Sequence, residues 1–412
     1  MPDMTRPSML SVKDAHARVI AAFETLATET VAVSEATGRT LAQAAGARLT
    51  QPPADLSAMD GYAVRAADVP AVPSTLTVVG EAPACGSYDN ALKPGEAVRI
   101  FTGGPLPMGA DSIVIQEDTK ADGRKITVLD APRIGRHIRK AGLDFSSGDT
   151  PVKAGRVLTT RDVALLAAMN LPWLSVRRKP RIAILSTGNE LVLPGEPVGR
   201  NQIISSSGVA VAALVRAWGA EPTLMDIVRD NAADTEAAIA AGAQYDLLIT
   251  LGGASVGDHD LVQGALKAQG FEMDFWRIAM RPGKPLMFAA RDRARVLGLP
   301  CNPVSTMICA LLFVRSAIER MLGRSGDPVA TVPARLAVDV KQNDQREDYV
   351  RAKLTRAADG ALTVEPHAVQ DSSMLSVLAW SDALLVRPAH DPARRAGDLV
   401  QVVDLERFVP GF

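Results

Sequence analysis

Aromatic residues are scarce in this chain, making up 4 % of its 412 residues. Proteins that bind single-stranded nucleic acid stack bases on aromatic side chains, and this composition offers little material for such a platform. An excess of one charge is missing as well, because 45 Lys and Arg residues face 46 Asp and Glu residues. No global field therefore draws the chain to polyanions or membranes, so we expect no nucleic-acid or membrane partner. Any anion site must be built locally.

Long apolar runs and cysteine pairs are also lacking. No stretch of about 18 uninterrupted apolar residues occurs, and the N-terminus carries acidic residues without a signal-peptide core. The three cysteines, Cys85, Cys301 and Cys309, are odd in number and show no C-x-x-C spacing. They give no support for a disulfide framework or a cysteine zinc site. We expect a cytoplasmic protein whose cysteines are buried or incidental thiols.

The length predicts about two to four domains. Apolar residues recur at helical spacing over residues 11–49, where Gly38 separates two predicted helices, and helical spacing returns in the later run TTRDVALLAAMNL. We expect these helices to pack together as one helical scaffold domain, residues 1–49 plus 146–179. Residues 50–145 hold short β-rich runs and turns with Pro and Gly, which predicts an inserted β domain.

Strands and helices alternate from residue 180 to residue 326. This order is typical of a doubly wound α/β sheet, in which ligands bind outside the carboxyl ends of the parallel strands. Residues 327–412 alternate short apolar runs with turns, which predicts a C-terminal β barrel or sandwich. The informative loops are therefore those that directly follow the strands RIAIL, DLLITL, FEMDFWRIAM and RVLGL.

Two of these loops are rich in glycine and small polar residues. RIAIL is followed by Ser186-Thr187-Gly188-Asn189-Glu190, where backbone amides can approach an anion and Glu190 can reach a metal or a ribose hydroxyl. By itself this sequence is equally typical of a plain turn. DLLITL is followed by residues 252–260, with three glycines, one hydroxyl and two carboxylates before a helix. That composition fits a phosphate or pterin cradle, and a tight turn capped by Asp258 is the alternative.

The other two loops carry cations and a helix start. The sequence from Arg281 to Pro285 places Arg281 and Lys284 around a rigid Pro-Gly turn, with Arg277 just before it. This arrangement suits a compact oxyanion, and a solvated basic turn is the alternative. After RVLGL, Asn302 can cap a long helix whose first position is Pro303. Such a cap is a structural feature, although a helix N-terminus also favours anions.

Six motifs follow one another along the chain: SAMDGYAV, RIFTGGPLPMGADSIVIQED, STGNEL, TLGGASVGDHD, MRPGKP and LPCNPVS. Together with REDYVRAKL and SSMLSVLAWSDALLV nearer the C-terminus, this series resembles the molybdopterin molybdenumtransferase family, the MoeA proteins and the E domain of gephyrin. The resemblance implies an elongated four-domain homodimer, whose site lies where the α/β domain of one subunit meets the inserted β domain and the C-terminal domain across the cleft. It also implies a reaction in which adenylylated molybdopterin and molybdate combine, with a divalent metal such as Mg²⁺, to give molybdenum cofactor and AMP.

The resemblance further implies residue roles. Molybdate is a dianion that needs fixed cations and hydroxyl donors, and the implied contacts are Arg281, Lys284, Arg351, Ser305 and Ser372. Anhydride cleavage needs neutralised phosphate charge, and the implied carboxylates are Asp60, Asp144, Glu190, Asp230, Asp258 and Asp260. The predicted magnesium ligands are Asp60, Glu190, Asp258 and Asp260, and the predicted catalytic residues are Asp60, Asp144, Glu190, Asp230, Arg281 and Lys284. The remaining predicted substrate contacts are Thr102, Ser186, Thr187, Gly188, Gly252, Gly253, Ser255, Arg277, Asn302 and Pro303.

The chain departs from the family pattern at several positions. Ser205, Ser206 and Ser207 stand where Asp/Asn, Ser/Thr and Asn are usual, Cys301 and Asp371 replace glycines, and Leu143 precedes Asp144 where Glu is common. A paralogue of reduced activity is therefore one alternative. Two others are a molybdopterin adenylyltransferase, which shares a Gly-Gly-Ser/Thr loop, and a non-catalytic molybdopterin-binding carrier or scaffold. Besides a second copy of the chain, the implied partners are molybdopterin adenylyltransferase and molybdoenzyme-specific acceptors. The choice between molybdate and tungstate stays open.

Overall fold

The computed structural model describes residues 9–252 and 261–408, the side chains of residues 407 and 408 excepted. The chain divides into two compact units. The first unit combines the segment up to Glu29 with the segment from Arg177 onward, and the second unit is Thr30–Val176. Within the described residues, no helix is both long and apolar enough to cross a bilayer.

Helix α1 (Val12–Ala21) opens the described chain. The hydroxyl of Ser11 caps it by accepting a hydrogen bond from the amide of Asp14 at 3.0 Å, as expected for an N-cap serine. Val12, Ala15 and Val19 are spaced three and four residues apart and are buried in the main core of the first unit. The sequence analysis grouped this helix with residues 146–179, but its apolar face packs with the α/β domain.

The second unit begins with a β-strand, where the sequence predicted a second helix. Residues 24–49 hold strand β1 (Thr28–Ala32), a 3₁₀ turn (Val33–Glu35) and isolated bridges, so the helix predicted after Gly38 is wrong. Strand β1 is rich in β-branched residues, which favour a pleated backbone. Its partner is β10 (Trp173–Arg177), so the later helical prediction holds for α2 (Thr160–Ala168) alone. A capping box between Thr159 and Asp162 starts α2.

The inserted β domain is confirmed as a six-stranded sheet with strand order β6-β3-β5-β4-β8-β7. Alternate residues of β3 enter two apolar cores, since Tyr62 and Val64 pack in one cluster and Ala63 in the other. The period of two therefore buries both faces of the sheet. The strands of the domain are β2 (Leu56–Ser57), β3 (Gly61–Val64), β4 (Ser74–Ala82), β5 (Glu96–Ile100), β6 (Ser112–Ile115), β7 (Thr119–Asp122), β8 (Lys125–Val128) and β9 (Ile138–Arg139), with 3₁₀ turns at Ala66–Asp68 and Gln116–Asp118.

The first unit supplies all later elements. They are β11 (Arg181–Ser186), β12 (Leu191–Val192), β13 (Ile203–Ile204), α3 (Ser206–Ala217), β14 (Glu221–Leu224), α4 (Ala232–Gly242), β15 (Leu247–Leu251), α5 (Leu261–Ala268), β16 (Glu272–Trp276), β17 (Met280–Arg281), β18 (Met287–Arg291), β19 (Ala294–Leu299), α6 (Pro303–Cys309), a π-helical turn (Ala310–Val314), α7 (Arg315–Met321), β20 (Val332–Leu336), β21 (Glu347–Arg356), β22 (Leu362–Pro366), α8 (Leu375–Ala379), β23 (Ala383–Arg387), β24 (Leu399–Asp404) and α9 (Leu405–Phe408). The long helix predicted from Pro303 is present as α6, the π-helical turn and α7 in succession.

The central sheet has the strand order β14-β11-β15-β19-β18-β16. Strands β14, β11, β15 and β19 are parallel, whereas β18 is antiparallel to both β19 and β16. Ile182 and Ile184 of β11 pack in the core that contains α1, α3 and α6, and Ala183 and Leu185 pack in the core that contains α4 and α5. Helices on both faces confirm the doubly wound prediction, with two antiparallel steps at one edge. Strands β11, β15, β16 and β19 all end at the same edge.

The C-terminal domain is a closed barrel of five strands. Strand β21 pairs with both β22 and β23, and the ring closes through β20 and β24, so the barrel alternative is confirmed. Strand β17 of the α/β domain adds to β21 in parallel, with Arg281 in register with Asp348. This pairing brings the basic loop after β17 to the wall of the barrel.

Candidate active site

A cavity of about 630 Å³ lies where four segments of the first unit meet. They are the loop 281–285, the start of α6, strand β21 and the loop 370–372. Six residues that the sequence singled out line it together: Arg281, Lys284, Asn302, Ser305, Arg351 and Ser372. The structure thus gathers cations and hydroxyls that are up to 91 residues apart, counted from Arg281 to Ser372 as 372 − 281.

The basic loop owes its shape to Gly283. Its φ of +122° is a backbone conformation that residues other than glycine rarely adopt. A Cβ built there would lie 2.7 Å from the Sγ of Cys309. The base of the loop is closed by a hydrogen bond from the amide of Ile278 to the carbonyl of Lys284, at 3.0 Å. Lys284 is exposed and forms no ion pair with any residue in the described ranges. Its ammonium group can therefore face a bound anion.

Arg281 is held by a set of oxygen acceptors. Its Nε donates to both carboxylate oxygens of Asp348, at 2.9 and 3.0 Å, and another nitrogen of the guanidinium also contacts Asp348. Further hydrogen bonds go to Asp344 and Asn343, each at 3.2 Å. The hydrogen bonds to Asp348 raise the pKa of Arg281, whereas burial raises the pKa of Asp348. Arg281 is thus a well-anchored cation whose charge is partly compensated.

Arg351 is the opposite case. It is 1 % exposed and is one of the largest fully buried side chains. Its Nε donates to the amide oxygen of Gln370 at 3.2 Å, and another guanidinium nitrogen donates to the carbonyl of Asp371 at 2.8 Å. Burial lowers the pKa of Arg351, because a low-dielectric surrounding disfavours the charged form. A buried guanidinium at a cavity wall supplies charge and directed donors to an anion.

Hydroxyl groups complete the cavity at the start of α6. Pro303 occupies the first helical position, and Ser305 is buried in the first turn. Asn302 occupies the N-cap position, as predicted, and its backbone carbonyl accepts from the amide of Thr306 at 2.9 Å, but its side chain makes no capping hydrogen bond. Its amide donates instead to the hydroxyl of Ser372 at 2.8 Å, and the amide of Val304 donates to the Ser372 carbonyl at 3.1 Å. Loop 370–373 therefore covers the helix start and satisfies one of its free amides.

A second group of predicted residues lies at the carboxyl edge of the central sheet. The amide of Thr187 donates to the carbonyl of Leu251 at 3.2 Å, and a Cβ on Gly252 (φ +108°) would lie 2.9 Å from Thr187 oxygens. Ser186 is buried at the end of β11. The loops after β11 and β15 are thus in close contact, and only glycine fits at position 252.

Acidic residues flank this second group. The carboxylate of Glu190 bends back over Gly188, where a Cβ would lie 2.5 Å from it. Asp230 accepts a hydrogen bond from the amide of Asn189 at 3.4 Å, and the Asn189 side chain accepts one from the Asp230 amide at 3.1 Å. Glu190 and Asp230 therefore stand on interlocked loops.

Other predicted residues stand apart from both groups. Arg277, at the end of β16, has a φ of 99° and lies over the Trp276 ring at 4.1 Å. Its Nε is buried without a hydrogen-bond partner among the described residues, and it does not line the cavity. Gly253, Ser255, Asp258 and Asp260 lie outside the described residues.

The second unit carries the predictions made for its β domain. Asp60 and Thr102 meet, since one oxygen of Asp60 accepts from the Thr102 amide at 2.7 Å and from its hydroxyl at 2.8 Å. These two hydrogen bonds lower the pKa of Asp60, so it is a carboxylate at neutral pH. Asp144 is exposed, and its backbone amide donates to the carbonyl of Gln51 at 3.0 Å. The carboxylate–hydroxyl pair at positions 60 and 102 is thus preformed.

A complete metal site is not found in the part of the chain that is described: no three His, Cys, Asp or Glu side chains there form a group able to hold an ion. Mg²⁺ usually keeps several waters and binds one or two carboxylates plus substrate phosphates. Glu190 and Asp230 in the first unit, and Asp60 in the second, are each the kind of carboxylate that such sparse ligation uses. They do not fit an all-protein cage.

Sequence reasoning missed four residues around the cavity. They are Asn343, Asp344 and Asp348, which fix Arg281, and Gln370, which holds Arg351. The signal was the acidic run QNDQRED, residues 342–348, which leads into the first two residues of strand β21. It could have been read as a partner for the basic loop, but the pairing of β17 with β21 was needed to bring the two together.

Comparison with known proteins agrees with this architecture. Three family models match in order: the MoeA N-terminal region (domains I and II) over residues 10–170, a probable molybdopterin-binding domain over 183–320, and the MoeA C-terminal region (domain IV) over 333–405. The cavity takes residues from the second and third matched regions.

Whole-chain relatives show the same relationship. The chain is 37 % identical to a molybdopterin molybdenumtransferase of a Nostoc species, covering 92 % of this chain and 89 % of that protein. It is 32 % identical to the molybdopterin molybdenumtransferase of Haemophilus influenzae, covering 91 % of this chain and 93 % of that protein. The crystal structure of a molybdopterin biosynthesis MoeA protein from Pyrococcus horikoshii matches with a TM-score of 0.83 at 29 % identity, over 96 % of this chain and 98 % of that one. With matching domains in the same order and relatives aligned over nearly their full length, the chain belongs to the MoeA family of molybdopterin molybdenumtransferases.

Proposed function

We propose that this chain is a molybdopterin molybdenumtransferase, which inserts molybdate into adenylylated molybdopterin and releases AMP. The observation that carries the proposal is the cavity in the first unit, where Arg281, Lys284 and Arg351 surround hydroxyls of Ser305 and Ser372. Molybdate is a compact dianion, and converging cations and hydroxyl donors are the groups that bind such an oxyanion. Family membership supports the same reaction.

Within this proposal the three cations have different tasks. Arg281 is fixed by Asp348 and Asp344, and it positions the loop and one edge of the oxyanion. Arg351 is buried and provides the strongest local field, because few water molecules screen it. Lys284 is exposed and can follow the anion as it enters. Ser305 and Ser372 donate hydroxyl hydrogens to the oxygen atoms.

The pterin nucleotide is assigned to the loops at the carboxyl edge of the central sheet. Ser186, Thr187, Gly188 and Gly252 lie at that edge, where the amides of Thr187 and Gly188 donate to the carbonyls of Leu251 and Val228. Gly253, Ser255, Asp258 and Asp260 follow Gly252 in sequence and extend the second of these loops. Asn302 and Pro303 stand at the wall of the oxyanion cavity and Arg277 at the end of β16. Amides at such loops favour phosphate groups.

Magnesium is part of the proposal as a partner of the phosphates. Asp60, Glu190, Asp258 and Asp260 would hold it, and Asp144 and Asp230 would orient the water around it. When bound, Mg²⁺ neutralises charge on the phosphate oxygens. Asp60 is held ionised by Thr102, so this chain presents a carboxylate there without the metal. We also propose that the protein acts as a cytoplasmic homodimer. Its proposed partners are molybdopterin adenylyltransferase and molybdoenzyme-specific acceptors.

Reconstitution with purified components tests the function. The full chain, given adenylylated molybdopterin, molybdate and Mg²⁺, should release AMP and form cofactor that activates an apo-molybdoenzyme. EDTA should stop AMP release, and added Mg²⁺ should restore it. Omitting molybdate gives the matched control, and a parallel reaction with tungstate gives the preference between the two oxyanions.

The same experiment separates the alternatives. A carrier would bind the adenylylated pterin tightly and release neither AMP nor active cofactor. An adenylyltransferase would instead consume ATP and molybdopterin and release pyrophosphate. Either result would contradict the proposed reaction.

A further inference from the structure

Gln370 clamps Arg351 from two sides. Its side-chain oxygen accepts hydrogen bonds from the backbone amide of Arg351 at 3.0 Å and from Nε of the guanidinium at 3.2 Å. Its side-chain nitrogen donates to the carbonyls of Arg351 at 2.8 Å and of His367 at 2.9 Å. A single amide therefore fixes both the strand and the guanidinium that projects from it.

The acceptors that hold Arg351 are uncharged. Besides the Gln370 amide, the guanidinium donates to the backbone carbonyl of Asp371 at 2.8 Å, and no carboxylate in the described residues forms an ion pair with it. The Asp371 carboxylate is turned to Ser373, from which it accepts two hydrogen bonds, at 2.8 and 2.6 Å. Neutral acceptors satisfy buried N–H groups without cancelling their charge.

Arg281, in contrast, is held by charged acceptors. It lines the same cavity and is anchored by two carboxylates, Asp344 and Asp348. Its position is fixed, but these two carboxylates partly compensate its charge. Arg351 is 1 % exposed and reaches the same wall with its orientation fixed and with no carboxylate paired to it in the described residues. The Asp371 carboxylate, which also lines the cavity, acts on the Arg351 charge without an ion pair.

We infer that Gln370 is a positioning residue, whose neutral amide holds Arg351 in place without forming an ion pair, so that the guanidinium charge can act on the oxyanion part of the substrate. This inference rests on the proposed function, because it explains how the cavity would bind molybdate. Gln370 itself lines the cavity, and its effect on oxyanion affinity is exerted through Arg351.

Two substitutions of similar size separate charge from position. Gln370→Glu keeps an acceptor for Nε but adds a negative charge, and Gln370→Met removes the acceptor and adds no charge. Both lose the two donated hydrogen bonds. Binding of molybdate alone to the full chain is measured by calorimetry, KM and kcat for molybdate are measured by AMP release, and thermal unfolding verifies that each variant is folded.

The charge argument fixes the order of the affinities. Gln370→Met should weaken molybdate binding about threefold, the size of one lost neutral hydrogen bond. Gln370→Glu should weaken it about 20-fold, since the added charge repels a dianion and neutralises Arg351. The change should appear in KM, with kcat altered much less. A role limited to positioning predicts the reverse order. The inference would be overturned if the Gln370→Glu variant bound molybdate as tightly as the Gln370→Met variant, or more tightly.

Two further measurements cover the cases in which Gln370→Glu does not fold or the parent chain is inactive. If Gln370→Glu does not fold, Asp371→Asn tests the same electrostatics, since removal of that charge should tighten molybdate binding about two- to threefold, and unchanged or weaker binding refutes the inference. If the parent chain itself neither binds molybdate nor forms AMP, the proposed function fails, and the inference fails with it. Parent-like binding in Gln370→Glu with normal AMP formation refutes the inference alone.

Discussion

Replacing Gly283 by alanine tests how the basic loop is built. The residue has a φ of +122°, and an added Cβ would lie 2.1 Å from Cε of Met280 and 2.7 Å from Sγ of Cys309. The methionine can turn aside because its side chain is flexible. Cys309 cannot do so easily, because it is fully buried in α6. The loop must therefore move, or the helix must.

The expected cost has two parts. An alanine forced into this backbone region costs about 1–3 kcal/mol, and insertion of a methyl group into packed surroundings costs a further ~1–3 kcal/mol. Gly283→Ala should thus lower the free energy of unfolding by roughly 2–6 kcal/mol in total. Because the loop carries Arg281 and Lys284, its displacement should also raise KM for molybdate by about tenfold or more.

Gly360→Ala is the matched control. Gly360 lies in the same unit with a φ of +85°, and no heavy atom of the described residues is within 4 Å of a Cβ built there. It should show the backbone cost alone, with molybdate kinetics unchanged. Urea unfolding followed by tryptophan fluorescence measures both variants, since Trp218, Trp276 and Trp380 lie in this unit. If Gly283→Ala proves no more destabilising than Gly360→Ala, the steric reasoning is refuted. Cys309→Ala combined with Gly283→Ala should recover part of the packing cost.

Three further predictions concern other parts of the chain. Asp60→Asn keeps an acceptor for Thr102 but removes the negative charge. The rate of AMP release should therefore fall by about 100-fold or more, with the unfolding midpoint unchanged. The control variant Asp122→Asn, at an exposed position of β7, should leave the rate unaltered. The pKa of Asp162 is lowered to about 2, chiefly by its hydrogen bond from Arg156; its stabilisation is thus present above pH 4 and lost as the pH falls toward 2. Asp162→Asn should therefore cost about 1 kcal/mol at pH 7, after allowance for solvent screening. The cost should be much smaller at pH 2, where the carboxyl is about half protonated, and equal losses at both pH values would contradict this. Arg178→Lys removes the bidentate contact with Asp246, in which both hydrogen bonds measure 2.7 Å. In urea titrations it should lower the free energy of unfolding by about 1–2 kcal/mol. An unchanged free energy would show that the contact contributes little.

The sequence predicted the elements whose apolar pattern was regular. Strand β11 reads as an unbroken apolar run and is buried along its length except at Arg181, and the alternating cores of the inserted sheet follow the same logic. The prediction failed for residues 28–33, because apolar and β-branched residues at short spacing fit a helix or a strand equally well. A distant partner, β10, decides the matter, and no local pattern reveals it.

The site shows the same division. Glycines and cations at strand ends identified Arg281, Lys284 and Gly252, because loops at the carboxyl edge of a parallel sheet are where ligands bind. Arg351 and Ser372 came from the family resemblance, since a strand arginine and a loop serine carry no signal of their own. Asp348 and Gln370 escaped both routes, as their roles depend on the register of β17 with β21 and on a turn 19 residues after Arg351. Hydrogen bonds between residues so far apart in sequence can be identified only from the folded structure.

The placement of α1 has a consequence for synthesis. Its apolar face, with Val12, Ala15 and Val19, belongs to a core whose other buried members, except Phe23, lie beyond residue 177. At about 5–20 residues per second, a ribosome needs roughly 7–30 s to make the intervening segment Thr30–Val176. During that interval the helix has no native surface to cover it, while Thr30–Val176 can already complete its own cores. Helix α1 is thus made before the second unit but can reach its native place only after that unit has been made.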